Sequence, residues 1–451
     1  MDRLLFRKIE LWVLLLLGIV GFAALIFFGS VVRNAALGNQ RFGTLGASAL
    51  ALAEIPANAR KLLQDDESMV AFRSVAVEGK RGWQFDPAAQ AFPGYVLLSR
   101  YDGDAGRHII ELVDIANGSV AHTWRPDADR LLAGTTHQST VVTFERWRTR
   151  YFRFIHPLLL PDGGLVLKDH QSPLIRTDAC GEMVWRREGS FFHHTTEPAA
   201  DGSLWVPGRI EPSVIEGAPP TFRDETIAHV SPEGVIIDER SVAKILVDNG
   251  LAWQLFATGR YQDDLIHLND VQPVPGDGPY WQKGDLFLSL RHLSMIALYR
   301  PATNEIVWSK QGPWVAQHDV DVVDDHTIAV FSNNAFRFST SGRGKVDGTN
   351  QIVFYDFAQD RVSRPFAPLF AAQRIATVSE GLFEILPGGY LMVEEENSAR
   401  FLVFAPDGTL AAEFVNRAAD GKTYRLGWSR FVSRDLGESA MAALANQTCA
   451  N

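Results

Sequence analysis

The chain has 451 residues, 46% of them hydrophobic and 21% charged, with 43 Lys and Arg against 53 Asp and Glu and a formal charge of −10. That apolar share excludes a disordered chain, and the acidic balance excludes a nucleic-acid binder, which needs a basic surface to displace counterions from phosphates. Two cysteines, Cys180 and Cys449, exclude a disulfide framework and a zinc ribbon and leave their own pairing open.

From Leu11 to Val32 no charge interrupts a run of Leu, Val, Ile, Phe, Ala and Gly, long enough to cross about 30 Å of hydrocarbon as a helix. A secretory signal has a shorter apolar region, about 7–15 residues, so the run reads as an uncleaved signal anchor. Arg3, Arg7 and Lys8 precede it, and Arg33 and Arg41 follow more sparsely. The positive-inside rule therefore puts residues 1–10 in the cytoplasm, residues 11–32 in the membrane and the bulk of the chain outside. In a bacterium this is the inner membrane with a periplasmic domain. Residues 33–75 read as a helical stalk or linker, with Ala, Leu and basic residues at helical spacing near Ala47–Leu52 and Ala59–Leu63.

Residues 76–440 repeat one unit of turn, strand, strand, turn and strand. Its second turn recurs at Asn117-Gly118, Cys180-Gly181, Glu233-Gly234, Thr303-Asn304, Gln359-Asp360 and Asp407-Gly408, which makes six units. Trp124, Trp185 and Trp308 follow three of these turns, as aromatics between neighbouring sheets would. Sheets of about four short strands must stack to bury both faces, and radial stacking protects their edges. The expected fold is all-β, a six-bladed β-propeller behind the transmembrane helix and stalk; a two-sheet sandwich rarely runs beyond about 250 residues. Arg425–Val432 has strand character and would complete the first blade, leaving residues 441–451 as a tail. Leu131–Ile155, with Trp147, Arg148 and Arg150, reads as a blade strand bearing solvated basic residues, or else as a substrate lid.

Histidines recur about seven residues before the first turn of successive units, at His156, His194, His267 and His318, where innermost strands converge on the central funnel. The strand after that turn ends on a cation in several units, at Arg100, at Lys168 followed by His170, at Arg209 and at Arg291, with carboxylates nearly missing until Glu394. A mouth gathering Arg and His in an acidic protein is suited to an anion. A three-histidine metal site is a second reading, opposed by Arg291, which would repel a dication.

The segments His267-Leu268-Asn269-Asp270, Asp285–Arg291 (DLFLSLR), Met295–Trp308 (MIALYRPATNEIVW), Gln317-His318-Asp319-Val320 and Phe331–Asn334 (FSNN) together resemble the arylsulfotransferase (ASST) family. The likeness is dense over Phe191–Asn334 and looser elsewhere in the propeller. It implies a six-bladed propeller working outside the cytoplasm, in agreement with the repeat count. It also implies an enzyme moving a sulfuryl group from an aryl sulfate donor to a phenolic or other hydroxyl acceptor, with no cofactor and no metal. By the resemblance, His318 is the nucleophile, His267 corresponds to the His-x-Asn histidine and Arg291 to the arginine ending the Ser-x-Arg strand. The earlier histidine falls in Phe192-His193-His194. Spacing favours His194, because Asp201 and Asp325 each lie seven residues beyond their histidine. His193, Asn269, Arg209 and Asn334 are expected to bind substrate. The best-known members have an N-terminal β-rich domain and no anchor, and some place a close cysteine pair near the site, so this chain departs from them.

The implied chemistry is ping-pong. A neutral imidazole attacks sulfur to give a sulfohistidine and a phenolate, and an acceptor phenol reverses the steps. Arg291, His194 and His267 would stabilise the sulfuryl oxygens, and His267 would move the proton. No glycine loop followed by Lys and Ser/Thr is present to cradle a nucleotide donor. The alternatives are a tethered propeller that binds a ligand or protein without catalysis, and a metal-dependent hydrolase or lyase using the same funnel.

Overall fold

The computed structural model describes residues 10–36, 39, 41–63, 70–72, 77–87, 89, 92, 94–136, 139, 142, 144–257, 261–338 and 344–449. The chain divides into two compact units, Met1–Met69 and Val70–Asn451.

In the first unit the helix Leu11–Ala36 is long and apolar enough to cross a membrane by length and composition. A second helix, Gly43–Leu63, follows, and Phe27 meets Phe42 edge-on at 6.0 Å between ring centres. Arg3, Arg7 and Lys8, on which the expected orientation rests, lie outside the described residues.

The second unit is a six-bladed β-propeller. From the axis outward, blade 1 consists of Arg430–Val432, Tyr95–Asp102, Arg107–Asp114 and Val120–Trp124. Blade 2 is Leu158–Leu159, Leu165–Leu167, Ser172–Thr177 and Met183–Phe192, and blade 3 is Glu197–Pro198, Leu204–Ile210, Asp224–Val230 and Ile236–Ser241. Blade 4 is Leu268–Pro273, Leu286–Leu290, Met295–Arg300 and Glu305–Gln311, and blade 5 is Val320–Val322, Thr327–Ser332, Gln351–Asp356 and Arg361–Ser363. Blade 6 is Leu382–Leu386, Tyr390–Glu395, Arg400–Phe404 and Leu410–Val415, with Gly82–Phe85 added outside. Each of the six turns read from the sequence joins the third and fourth strands of its blade.

Middle strands are buried on both faces because each blade is sandwiched between two others; Leu286–Leu290 is buried throughout. Outer strands alternate, as Glu305–Gln311 does between exposed and half-buried. The tryptophans bridge blades. Trp124 Nε1 donates to Gly163 O at 3.1 Å and Trp185 Nε1 to Pro232 O at 2.9 Å, while Trp308 stacks on Tyr355 at 5.2 Å.

Both ends of the propeller close the ring. Arg430–Val432 pairs with the first blade through Arg430 opposite Leu97 and Val432 opposite Tyr95, and Leu426 bridges Arg100 of the same strand, with Tyr101 N donating to Arg425 O at 2.9 Å, the closure expected for Arg425–Val432. Gly82–Phe85 seals the outside of blade 6, Gly82 opposite Val415. Beyond this the chain forms the helix Arg434–Ala445, capped by the Ser433 hydroxyl. It packs on blade 1 through Gly437, where a side chain would lie 2.4 Å from the Tyr95 ring. Cys449 forms a disulfide with Cys180 in the outer turn of blade 2.

Leu131–Ile155 corrects one expectation. Its described residues contain no strand; the stretch follows from the helix Ala128–Leu131 and holds a 3-10 turn at Phe144–Arg146. Its aromatics pack on one another instead, with Trp147 on Phe144 at 4.8 Å and its Nε1 donating to Gln171 O at 3.2 Å.

Candidate active site

The site begins with a backbone irregularity repeated around the ring. His156, His194, His267, Glu380 and Trp428 all have positive φ, between 46° and 59°, and each stands one to three residues before an innermost strand, of blades 2, 3, 4, 6 and 1. Non-glycine residues adopt this region at a cost of about 1–2 kcal/mol, so its recurrence marks positions held for their side chains. Blade 5 differs: Ala316 takes the positive φ, and His318 follows two residues later.

These reversals bring the rings together. His194 is central, with ring centres 4.7 Å from His170, 5.4 Å from His267, 6.1 Å from His318 and 5.6 Å from Trp428. Trp428 also meets His318 at 6.0 Å and His156 at 5.9 Å. The buried carboxyl of Glu394 holds it there by accepting from Trp428 N and Ser429 N, both at 2.7 Å. Burial pushes that carboxyl up to about 7.

His318 is buried, and both its ring nitrogens are engaged. Asn333 donates from Nδ2 to Thr377 O and Glu380 O at 3.1 and 2.8 Å, which turns its Oδ1 toward His318 Nδ1 at 2.6 Å. His318 therefore carries its proton on Nδ1, and the lone pair on Nε2 accepts from Glu380 N at 2.9 Å. Burial, then Arg291, lowers the His318 pKa well below the usual histidine value, so the ring is neutral. The Glu380 carboxylate is itself pinned by Arg153 at 2.6 Å and lies 3.4 Å from His170 Nε2. Burial lowers His170 to about 3.

His267 is half-buried, and its Nδ1 donates to Asp264 Oδ2 at 2.8 Å. His292 stacks on it at 4.6 Å and takes a contact from Arg291 Nη1 at 2.9 Å. Asp264, His267 and His292 have donor atoms within 4.8 Å of one another and could hold a metal ion. Arg223, 3.0 Å from Asp264, and Arg291 oppose a dication there.

Of the adjacent pair, His194 joins the ring cluster and His193 lies behind it. The two meet through their Nδ1 atoms at 2.8 Å, and His193 Nε2 lies 2.8 Å from Glu225, which also binds Arg209 at 3.0 Å. Arg209 is thus buried one layer back from the rings. Asn269 is buried with Nδ2 donating to Gln317 O at 2.9 Å, and Asn334 donates to Thr349 O at 2.8 Å. His156 accepts at Nδ1 from Arg430 at 3.1 Å and from Thr196 N at 3.2 Å, a hydrogen-bonded structural histidine. Arg100 pairs with Glu111 at 2.8 Å, and the buried Lys168 donates to Ile155 O at 3.1 Å and to the carbonyl of His194.

The carboxylates were under-read in the sequence. Asp264, Glu225 and Glu380 each stand directly behind a site histidine or its partner. Glu380 and Trp428 could have been found by extending the unit alignment to Glu380-Gly381-Leu382 and Trp428-Ser429-Arg430, which sit ahead of inner strands as the histidines do.

No curated protein sequence matches the chain significantly. Solved structures similar to it include a protein of unknown function from Bacteroides caccae, at 10% identity and TM-score 0.45, covering 75% of this chain and 99% of that one. Another is TolB from Acinetobacter baumannii, at 10% identity and TM-score 0.43, covering 76% and 67%. Likeness this weak says nothing of activity. A sequence profile described as Arylsulfotransferase (ASST) matches residues 156–417, more than half of the chain and every strand of the blades that carry the site histidines; the chain belongs to the arylsulfotransferase family.

Proposed function

We propose that this protein transfers a sulfuryl group from an aryl sulfate ester to a phenolic or other hydroxyl acceptor, through a covalent sulfohistidine at His318. The observation that carries the proposal is the His318 ring: neutral, its proton fixed on Nδ1 by Asn333, its lone pair on Nε2, beside Arg291 and His194 in an arylsulfotransferase propeller.

In the first half-reaction Nε2 attacks sulfur, the N–S bond forms, and the S–O bond breaks with its electrons leaving on the phenolate. Asn333 keeps the Nδ1 proton and supports the positive charge on the ring. The Glu380 N–H must release Nε2 before attack, because the sulfur has to approach along that lone pair. Arg291 offers a fixed cation to the sulfuryl oxygens, on which negative charge persists. A neighbouring histidine moves the proton of the phenolic oxygen, and the family resemblance points to His267. Asn269 and Asn334 would act by holding the strand ends that shape the funnel, and His193 and Arg209 by supporting His194.

The propeller would stand outside the cytoplasm, tethered to the inner membrane by residues 11–32 through a linker at 33–75. The apolar helix and the Cys180–Cys449 disulfide, which suits an oxidising compartment, support this placement. A metal-dependent hydrolase or lyase is the second reading, favoured by the Asp264, His267 and His292 donor set.

The test is to incubate the protein with an aryl sulfate and an excess of a second phenol, following release of the first phenol and sulfation of the second. Transfer that survives chelation and disappears in His318→Asn supports the proposal. Release that requires added metal supports the second reading, and no release by folded protein points to a binding role.

A further inference from the structure

Resting on the sulfuryl-transfer reading, we infer that Glu225, His193 and His194 form a proton relay that serves the phenolic oxygen, with His194, in place of the His267 to which the family resemblance points, as the catalytic acid and base and the other two as positioning residues. The relay runs straight back from the funnel: His194 Nδ1 to His193 Nδ1 at 2.8 Å, then His193 Nε2 to Glu225 Oε2 at 2.8 Å.

Its proton positions follow from the partners. His193 Nε2 faces the Glu225 carboxylate and the Gly208 carbonyl, at 2.8 and 3.3 Å. Both only accept, so that nitrogen carries a proton in every state. One proton therefore lies between the two Nδ1 atoms, and two arrangements exist. With His193 neutral, its Nδ1 accepts from His194 Nδ1–H, and His194 presents a lone pair at Nε2. With His193 protonated, its Nδ1–H donates to His194, and His194 presents an Nε2–H.

The two arrangements are the two states that ping-pong transfer requires. In the first half-reaction His194 Nε2–H goes to the departing phenolate while the shared proton returns from His193 Nδ1 to His194 Nδ1, leaving both rings neutral. In the second half His194 Nε2 takes the proton of the acceptor phenol, the shared proton moves back, and the positive charge comes to rest on His193. No proton is gained or lost over the cycle.

The charge has a reason to settle one layer back. His194 is hemmed by the rings of His170, His267 and His318 and by the Lys168 amine at its carbonyl; burial, then His170, drives its pKa well below the usual value. His193 instead adjoins Glu225, which stays ionised: burial opposes this, but His193 and Arg209 outweigh it and bring the carboxyl down to about 2. His267 lacks this arrangement, because its Asp264 is shared with Arg223 and His292 near the solvent-exposed rim.

Donors differing in leaving group test the relay. Phenyl sulfate needs a proton on its departing oxygen, whereas 4-nitrophenyl sulfate releases a phenolate that is stable near neutrality. With the full chain in detergent, Glu225→Gln and His193→Phe should each lower the single-turnover rate of phenol release from phenyl sulfate about 100-fold while changing release from 4-nitrophenyl sulfate by less than about 3-fold. Asp264→Asn should show no such split. Equal losses on both donors, or a split confined to Asp264→Asn, would overturn the relay. Wild-type protein inactive on both donors defeats the sulfuryl-transfer reading instead. The relay is then judged by nitrogen NMR of the histidine-labelled chain, in which Glu225→Gln should shift His194 as well as His193. A His194 signal that does not move ends the proposal.

Discussion

His318 donates its Nδ1 proton to Asn333 Oδ1 across 2.6 Å, and that bond leaves the lone pair of the ring on Nε2. The Asn333 oxygen cannot rotate away, because its amide nitrogen is held by the carbonyls of Thr377 and Glu380. A loop from blade 6 thus sets the tautomer of a histidine in blade 5.

Replacing His318 with Asn should abolish transfer and leave the circular dichroism spectrum unchanged, since one buried ring is lost without opening the blade. Asn333→Ala frees the tautomer and should lower kcat about 100-fold with little change in KM, while destabilising the fold by about 1–3 kcal/mol through the stranded Glu380 carbonyl, the Thr377 carbonyl keeping its bond from Asn350 Nδ2 at 2.9 Å. Because burial holds His318 neutral, kcat/KM on 4-nitrophenyl sulfate should stay level as pH falls through about 6.5. A decline there that vanishes with a histidine elsewhere in the cluster would put the titration on that histidine.

Arg291→Ala should slow the chemical step by about two orders of magnitude, as loss of one fixed donor to a developing anion does. Single-turnover rates measure this directly. An unchanged rate would place Arg291 outside the reaction, as a partner of His292 alone.

Glu394 offers a stability measurement with a defined sign. Its folded-state pKa is raised to about 7, from the ordinary 4.5, so its contribution is full below the unfolded value and is lost as pH rises through the folded one. Relative to Glu394→Gln, the wild-type protein should lose about 3 kcal/mol between pH of about 4.5 and about 7 and then level off. Denaturation midpoints of both proteins across that range supply the comparison, and a constant difference would mean that Glu394 stays ionised in the fold.

The Cys180–Cys449 bond joins the chain end to blade 2 across 269 residues. Cys449→Ser should lower stability by about 2–4 kcal/mol, with amide exchange rising first in the helix Arg434–Ala445. Exchange rising equally in all blades would show that the bond supports the whole ring.

The apolar N-terminal helix, the six repeats and the positions of His194, His267, His318 and Arg291 were legible in the sequence, because each is written in neighbours a few residues apart. Apolar runs, turn residues and strand-length spacing are local signals. Ring closure was legible for the same reason, from a strand pattern in Arg425–Val432. What only the tertiary structure decided depends on residues far apart in the chain. Glu380 reaches His318 across 62 positions and Arg153 across 227. His193 and His194 are adjacent in sequence, but the choice between them came from Glu225, 32 positions beyond His193, turning one ring inward to a carboxylate and leaving the other to the funnel. A repeat pattern determines how many sheets stack, whereas the proton on each imidazole is set by whichever donor or acceptor the closed ring brings within 3 Å.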